Sequence, residues 1–167
     1  MKIFILIAAS ILSQSAIAST DFIKDVKGVF QQYTNVDAAD WYNEGDTAFA
    51  EFTGRNLGIY QNIKASVRKN EVNIKMWYAG NGDKPSDDDF FVATTAVCNI
   101  VFRHVVLTSD QIEKLKSWDD NVTDPLDFMS VDKLQLSNGD YVHKNINGWD
   151  VKIKHSGMNT SCSAQKA

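Results

Sequence analysis

Residues Phe90 to Leu107 read FFVATTAVCNIVFRHVVL. The run is apolar almost throughout, and its polar positions Thr95, Asn99 and Arg103 fall four apart. On a helix that spacing gathers them into one narrow stripe, and a helix apolar on its other faces belongs in a core. Ser86 stands where a cap would sit. Asp87, Asp88 and Asp89 suit a first turn, where the helix dipole favours negative charge. The second half, Ile100 to Leu107, is rich in valine and isoleucine and reads equally well as a buried strand. Arg103 and His104 near the end argue against a membrane span, which needs about 20 apolar residues. The stretch is therefore expected to be the central scaffold, carrying the acidic loop Gly80 to Asp89 at one end.

Upstream of it the period changes. From Leu57 to Arg68, Ile59, Ile63, Ala65 and Val67 share one face, while Tyr60, Asn62, Lys64, Ser66 and Arg68 share the other. Period two marks a half-buried strand. Lys69-Asn70 supplies a two-residue turn, since asparagine tolerates positive φ. Glu71 to Ala79 returns with Val72, Ile74, Met76 and Tyr78 alternating with Asn73, Lys75 and Trp77. Thr47 to Thr53 reads as a further strand, and Asn35 to Gly45, with Trp41 and Tyr42, as a short helical turn and a loop. A helix through Tyr60, Ile63 and Val67 is the competing reading of the first arm.

Downstream, Thr108 and Gln111 have the spacing of a capping box, and Ile112, Leu115 and Trp118 follow at helical intervals. Asn121 to Met129, with Pro125, reads as a linker loop. A meander is expected next. Val131 to Leu136 is a strand, Asn138-Gly139 turns, Tyr141 to Asn145 pairs back, Asn147-Gly148 turns again, and Trp149 to Lys154 alternates. The tail from Gly157 is polar and expected to fray unless Cys162 ties it down. At the N-terminal side, Phe22, Val26, Val29, Phe30 and Tyr33 give Ser19 to Tyr33 an amphipathic helical pattern, capped by Ser19 or Thr20. The expected class is α+β: an antiparallel sheet in two hairpin blocks, packed against a central buried helix, with one N-terminal helix and one further short helix.

The first residues, MKIFILIAASILSQSAIAS, have the form of a secretory signal peptide, with Lys2, an apolar core and the small-x-small site Ala16-Ile17-Ala18. Residues 1–18 are expected to be removed, leaving one domain over 19–167 with no stable membrane insertion. An exported chain is periplasmic or secreted, and its two cysteines, Cys98 and Cys162, are expected to be bridged. The formal charge is −4, which removal of Lys2 makes one unit more negative. Neither nucleic acid nor an anionic membrane suits that balance, because both need a clustered basic surface.

Chemistry-bearing patterns are sparse. His104, His143 and His155 fall in no metal spacing, no serine lies in a GxSxG elbow, and no nucleotide loop is present, so no cofactor or metal is expected. Asp83, Asp87, Asp88 and Asp89 crowd one loop, without the alternation by which an EF-hand wraps calcium. They read instead as a docking loop for a basic partner. Trp41, Tyr42, Trp77 and Tyr78 join them as candidate partner-binding residues, because tryptophan and tyrosine anchor interfaces. The expected function is a small exported protein-binding domain, of the kind that inhibits an envelope enzyme or gives immunity to a toxin. The alternatives are a small envelope hydrolase using Glu44, Asp46, Glu51 or His104 on glycan or peptide, and a small-ligand carrier enclosing a pocket between sheet and helix.

Overall fold

A computed structural model describes residues 12–34, 40–57, 60–78, 86, 95–117, 121–130, 132–133, 139–157 and 159–167. Helix α1 covers Leu12–Thr34. It runs through the expected cleavage point after Ala18, so Ser19 and Thr20 lie within the helix rather than at its cap. Phe22, Ile23, Val26, Val29 and Phe30, at intervals of one, three and four, turn one stripe toward the core, with Val26 and Phe30 fully buried. Gly28 falls on the solvent side of the same helix. No helix among the described residues is long and apolar enough to cross a membrane.

Seven antiparallel strands form one sheet: β1 (Trp41–Glu44), β2 (Thr47–Leu57), β3 (Tyr60–Arg68), β4 (Glu71–Tyr78), β5 (Tyr141–Ile146), β6 (Trp149–Ser156) and β7 (Asn159–Lys166), in the order β1-β2-β3-β4-β7-β6-β5. The α+β class and the two hairpin blocks are as expected from the alternation. Two of the three expected asparagine turns form as hairpins, and Asn138 of the third lies outside the described residues. Asn70 adopts φ 59°, and Asn147 and Gly148 adopt 52° and 79°, positive at both central positions as a type I′ hairpin requires.

Two expectations need correction. Trp41 to Glu44 is a strand, not a helical turn and loop. It pairs with β2 through a tight turn at Gly45, whose φ of 61° a side chain would strain. The strand expected over Val131 to Leu136 is not formed at Asp132 and Lys133, which are helical, and the rest of that segment lies outside the described residues. The polar tail, expected to fray unless Cys162 ties it down, is tied by the Cys98–Cys162 bridge. It is β7, an interior strand hydrogen-bonded to β4 on one side and β6 on the other, and it joins the two hairpin blocks into one sheet.

The second half of the central run is helical. A π-helical turn, Thr95–Asn99, leads into α2 (Ile100–Val106), and the part before Thr95 lies outside the described residues. Val97, Cys98, Val101 and Phe102 are fully buried against the inner face of the sheet, where Ile63, Val67, Val72, Ile74, Met76 and Ile153 alternate inward. Helix burial decides between the two readings of Ile100 to Leu107: the valines and isoleucine pack onto a sheet that already has its strands. Cys98 bridges Cys162 with an S–S distance of 2.08 Å, fixing the helix to the interior strand. The segment expected to be a plain linker also enters the core, since Leu126, Phe128 and Met129 are buried around a 3₁₀ turn, Asp127–Met129.

Helix α3 (Ser109–Lys116) starts at the expected capping box. The Gln111 amide donates to Thr108 Oγ1 and the Thr108 amide donates to Gln111 Oε1. Asn147 Nδ2 donates both to that Gln111 oxygen, at 2.7 Å, and to the Val106 carbonyl, at 2.8 Å. The β5–β6 turn is thereby tied to a carbonyl that the end of α2 would leave without a partner.

Candidate functional site

The register separates the two faces of the sheet. Ala48, Ala50, Ile63, Ala65, Val67, Val72, Ile74, Met76, Thr160, Cys162, Ala164, Val151 and Ile153 point inward and are buried. The intervening residues make the outer face, which is partly or fully exposed and on which none of the three described helices lies. One row, directly opposite from strand to strand, reads Tyr42, Phe49, Ser66, Asn73, Ser163, Lys152, His143 and crosses all seven strands. At about 4.8 Å per strand it spans roughly 29 Å. The neighbouring row reads Glu51, Lys64, Lys75, Ser161, Lys154, Tyr141.

Two kinds of side chain mark this face. Aromatic rings stand toward its margins. Tyr42 is 50% exposed and stacks on Phe49 at 5.6 Å, Tyr141 is 60% exposed, and Trp77 lies in the Asn62–Asn159 row. Between them the face carries cations and neutral donors. Glu51 is held by Lys64 at 3.0 Å and by Asn62, and those bonds keep its carboxyl below the ordinary value. Asp150 is held by Lys152 at 2.6 Å, and Glu71 by Asn73 and Arg68. These three acids of the face are therefore already partnered, while Glu44 stands exposed at its β1 edge. Asn73, Lys75, Tyr141, Lys152, Ser161 and Ser163 line a shallow concavity of about 140 Å³ near its middle.

Comparison with protein-family models, with curated proteins and with solved structures found no match. The site therefore rests on its own geometry.

Of the residues predicted from sequence, Asp83, Asp87, Asp88 and Asp89 lie outside the described residues. The two aromatic pairs divide between the faces because neighbours on a strand point oppositely. Tyr42 and Trp77 stand on the outer face. Trp41 turns inward onto Phe30, edge to face at 5.4 Å, with Lys27 Nζ 5.4 Å from its ring centre, and Tyr78 packs against the core. Trp41 is thus a core anchor, whose indole Nε1–H is buried without an acceptor among the described residues. Among the described residues, the structure brings together neither the four acid–base candidates nor the lining of a carrier pocket between α2 and the sheet. Glu51 lies four residues along β2 from Thr47, the register partner of Glu44. That is roughly 13 Å of strand, where a glycosidase pair needs about 5–9.5 Å. His104 is on α2, across the sheet from all three acids, and the space behind α2 is filled by Val97, Val101 and Phe102.

Sequence reasoning missed Lys75, Lys152, Ser161, Ser163, Asn73 and Tyr141 as a group. Alternation had placed Asn73, Lys75 and Trp77 on one face. The signal for the remainder was the alternation of Thr160, Cys162 and Ala164 with Ser161 and Ser163, too weakly apolar to read as a strand.

His104 contributes to pH response rather than to this face. Its ring stacks on Tyr33 at 4.4 Å, and burial, then the Lys116 and Arg103 charges, hold it below its ordinary value of 6.5. The unfolded chain takes up this proton first, so stability falls as pH drops through about 6.5 and below. Glu71 acts in the same direction at lower pH, because its carboxyl is held down chiefly by Asn73 and its stabilisation is lost on protonation. Urea midpoints measured at pH 7.5 and pH 5.5 should decrease in the parent chain and decrease less in His104→Phe, which keeps the stack and removes the titration. Equal decreases would remove His104 from the account.

Proposed function

We propose that this chain is a small exported protein-binding domain, working after removal of residues 1–18, and that its recognition surface is the outer face of the sheet. The observation that carries the proposal is the division of the molecule. All three described helices and the Cys98–Cys162 bridge lie on the inner face, while the outer face presents Tyr42, Phe49, Trp77 and Tyr141 around a field of amides, hydroxyls and lysines. Tyrosine and tryptophan anchor protein interfaces, giving large contact area at small entropic cost. The buried bridge supports an oxidising destination.

The test uses photo-crosslinking in the native host. A benzophenone side chain introduced at Phe49 on the outer face, or at exposed Lys24 on α1, samples the two sides of the molecule. A chain beginning at Ser19, with one discrete adduct to another protein at position 49 and none at position 24, is the expected result. Adducts at position 24 alone, or none at 49, would overturn the proposal.

A further inference from the structure

The outer face is built for more than generic contact. Lys64 and Lys75 stand directly opposite each other on β3 and β4. Like charges in that position repel, and the fold gains nothing from the pairing. Lys64 has Glu51, Lys152 has Asp150, and Lys154 lies 5.0 Å from the Tyr141 ring centre. Among the described residues Lys75 has no carboxylate. Its exposed ammonium borders the concavity, where the Ser161, Ser163 and Tyr141 hydroxyls have no hydrogen-bond partner among the described residues. Glu71 on β4 and Asp150 on β6, the acids on strands that line it, are engaged by Arg68, Asn73 and Lys152. One ammonium without a counterion among the described residues, a second held on the far side two strands away, and three hydroxyls converge on a concavity of about 140 Å³, room enough for a whole acidic side chain.

We infer that this concavity receives an acidic side chain from an extended segment of the protein partner, so that the partner's docking strand is acidic at the centre and apolar at its margins. This rests on the proposed function. It reverses the expectation of a basic partner, which came from net charge and from the acidic loop. An acidic segment of a protein fits better than a free small anion. The concavity is shallow and open, and would bury too little of an isolated ion to hold it. A carboxylate carried on a chain gains the surrounding contact with Phe49, Trp77 and Tyr141 as well. Hydrogen bonds from an ammonium and hydroxyls to a carboxylate are charge-assisted, the stronger kind, and they relieve the Lys64–Lys75 repulsion.

The probe is a synthetic peptide of six glutamates flanked by glycines, titrated into the full exported chain while backbone amide shifts are followed by NMR. Saturable shifts centred on Asn73, Lys75, Ser161 and Ser163 are expected. They should weaken at least tenfold in Lys75→Glu, weaken in Lys75→Gln and Lys152→Gln, stay unchanged in Lys24→Glu, and be absent for the matching glutamine peptide. Lys75→Glu should melt no lower than the parent, because Lys64 gains an opposite charge across the strands. The absence of saturable shifts, equal binding of the glutamine peptide, indifference to Lys75→Glu, or tighter binding of an oligogalacturonate than of the peptide would overturn the inference. The crosslink at position 49 separates the two levels. An adduct that persists undiminished in Lys75→Glu sinks the acidic-segment inference and leaves the outer-face interface standing. No adduct in the parent sinks the interface itself.

Discussion

Replacing Cys98 and Cys162 together by alanine should cost about 4 kcal/mol and lower the melting temperature by about 8–16 °C. The bridge spans a sequence separation of 64 residues, so in the chain-entropy picture it removes a large loop from the unfolded ensemble. In the folded state it joins the turn before α2 to the interior strand β7, and both cysteines are buried, at 0% and 2% exposure. Alanine leaves no unpaired polar atom in the core, as serine would. The native chain should show no alkylatable thiol, and reductant should act only once the protein begins to unfold. Differential scanning calorimetry of the parent and the double variant decides the matter. A variant melting within a degree or two of the parent would mean that the bridge constrains nothing the fold needs.

The second large effect concerns β7. Ser161→Pro should cost on the order of 3 kcal/mol or more, because proline removes a ladder hydrogen bond and its ring clashes with neighbouring backbone. Ser161 lies between Lys75 on β4 and Lys154 on β6, so no free edge accommodates the change. Ser161→Thr should leave stability level or slightly higher, since a β-branched residue suits a partly exposed strand position. Urea denaturation separates the two outcomes: a proline variant as stable as the threonine variant would place residue 161 in a tail rather than inside a sheet.

These two results bear on what could be read from the residues alone. The hairpin from Tyr60 to Tyr78 was legible because alternation, an asparagine turn and apolar inward positions all point one way. The α3 cap was legible because Thr108 and Gln111 act locally. The cysteine pair was legible because a chain with two cysteines leaves one pairing. The tail was not, and the reason is physical. β7 reads NTSCSAQK, and its inward positions are Thr160, Cys162 and Ala164, small residues that fit beneath the helices without standing out as apolar. Its strand character comes from neighbours on both sides, a long-range pairing that no local window contains. Trp41 misled in the other direction: its stretch was expected to be a helical turn and loop and its ring a partner-binding candidate, yet it lies on β1 and closes the core against Phe30. The candidate site inherits the same blindness. Each lysine and serine was visible singly, but only the β4-β7-β6 order sets Lys75 and Lys152 on either side of Ser161 and Ser163.

Native-state hydrogen exchange across the C-terminal strand tests this directly, because both the single sheet and the lysine-lined concavity depend on β7 lying between β4 and β6. The backbone amides of Ser161, Cys162, Ser163 and Ala164 that bond to the neighbouring strands should exchange only through global unfolding, with the same free energy as the inward-facing positions Ile74 on β4 and Val151 on β6. Exchange of all four within minutes, while Ile74 stays protected, would contradict the account of both the fold and the site.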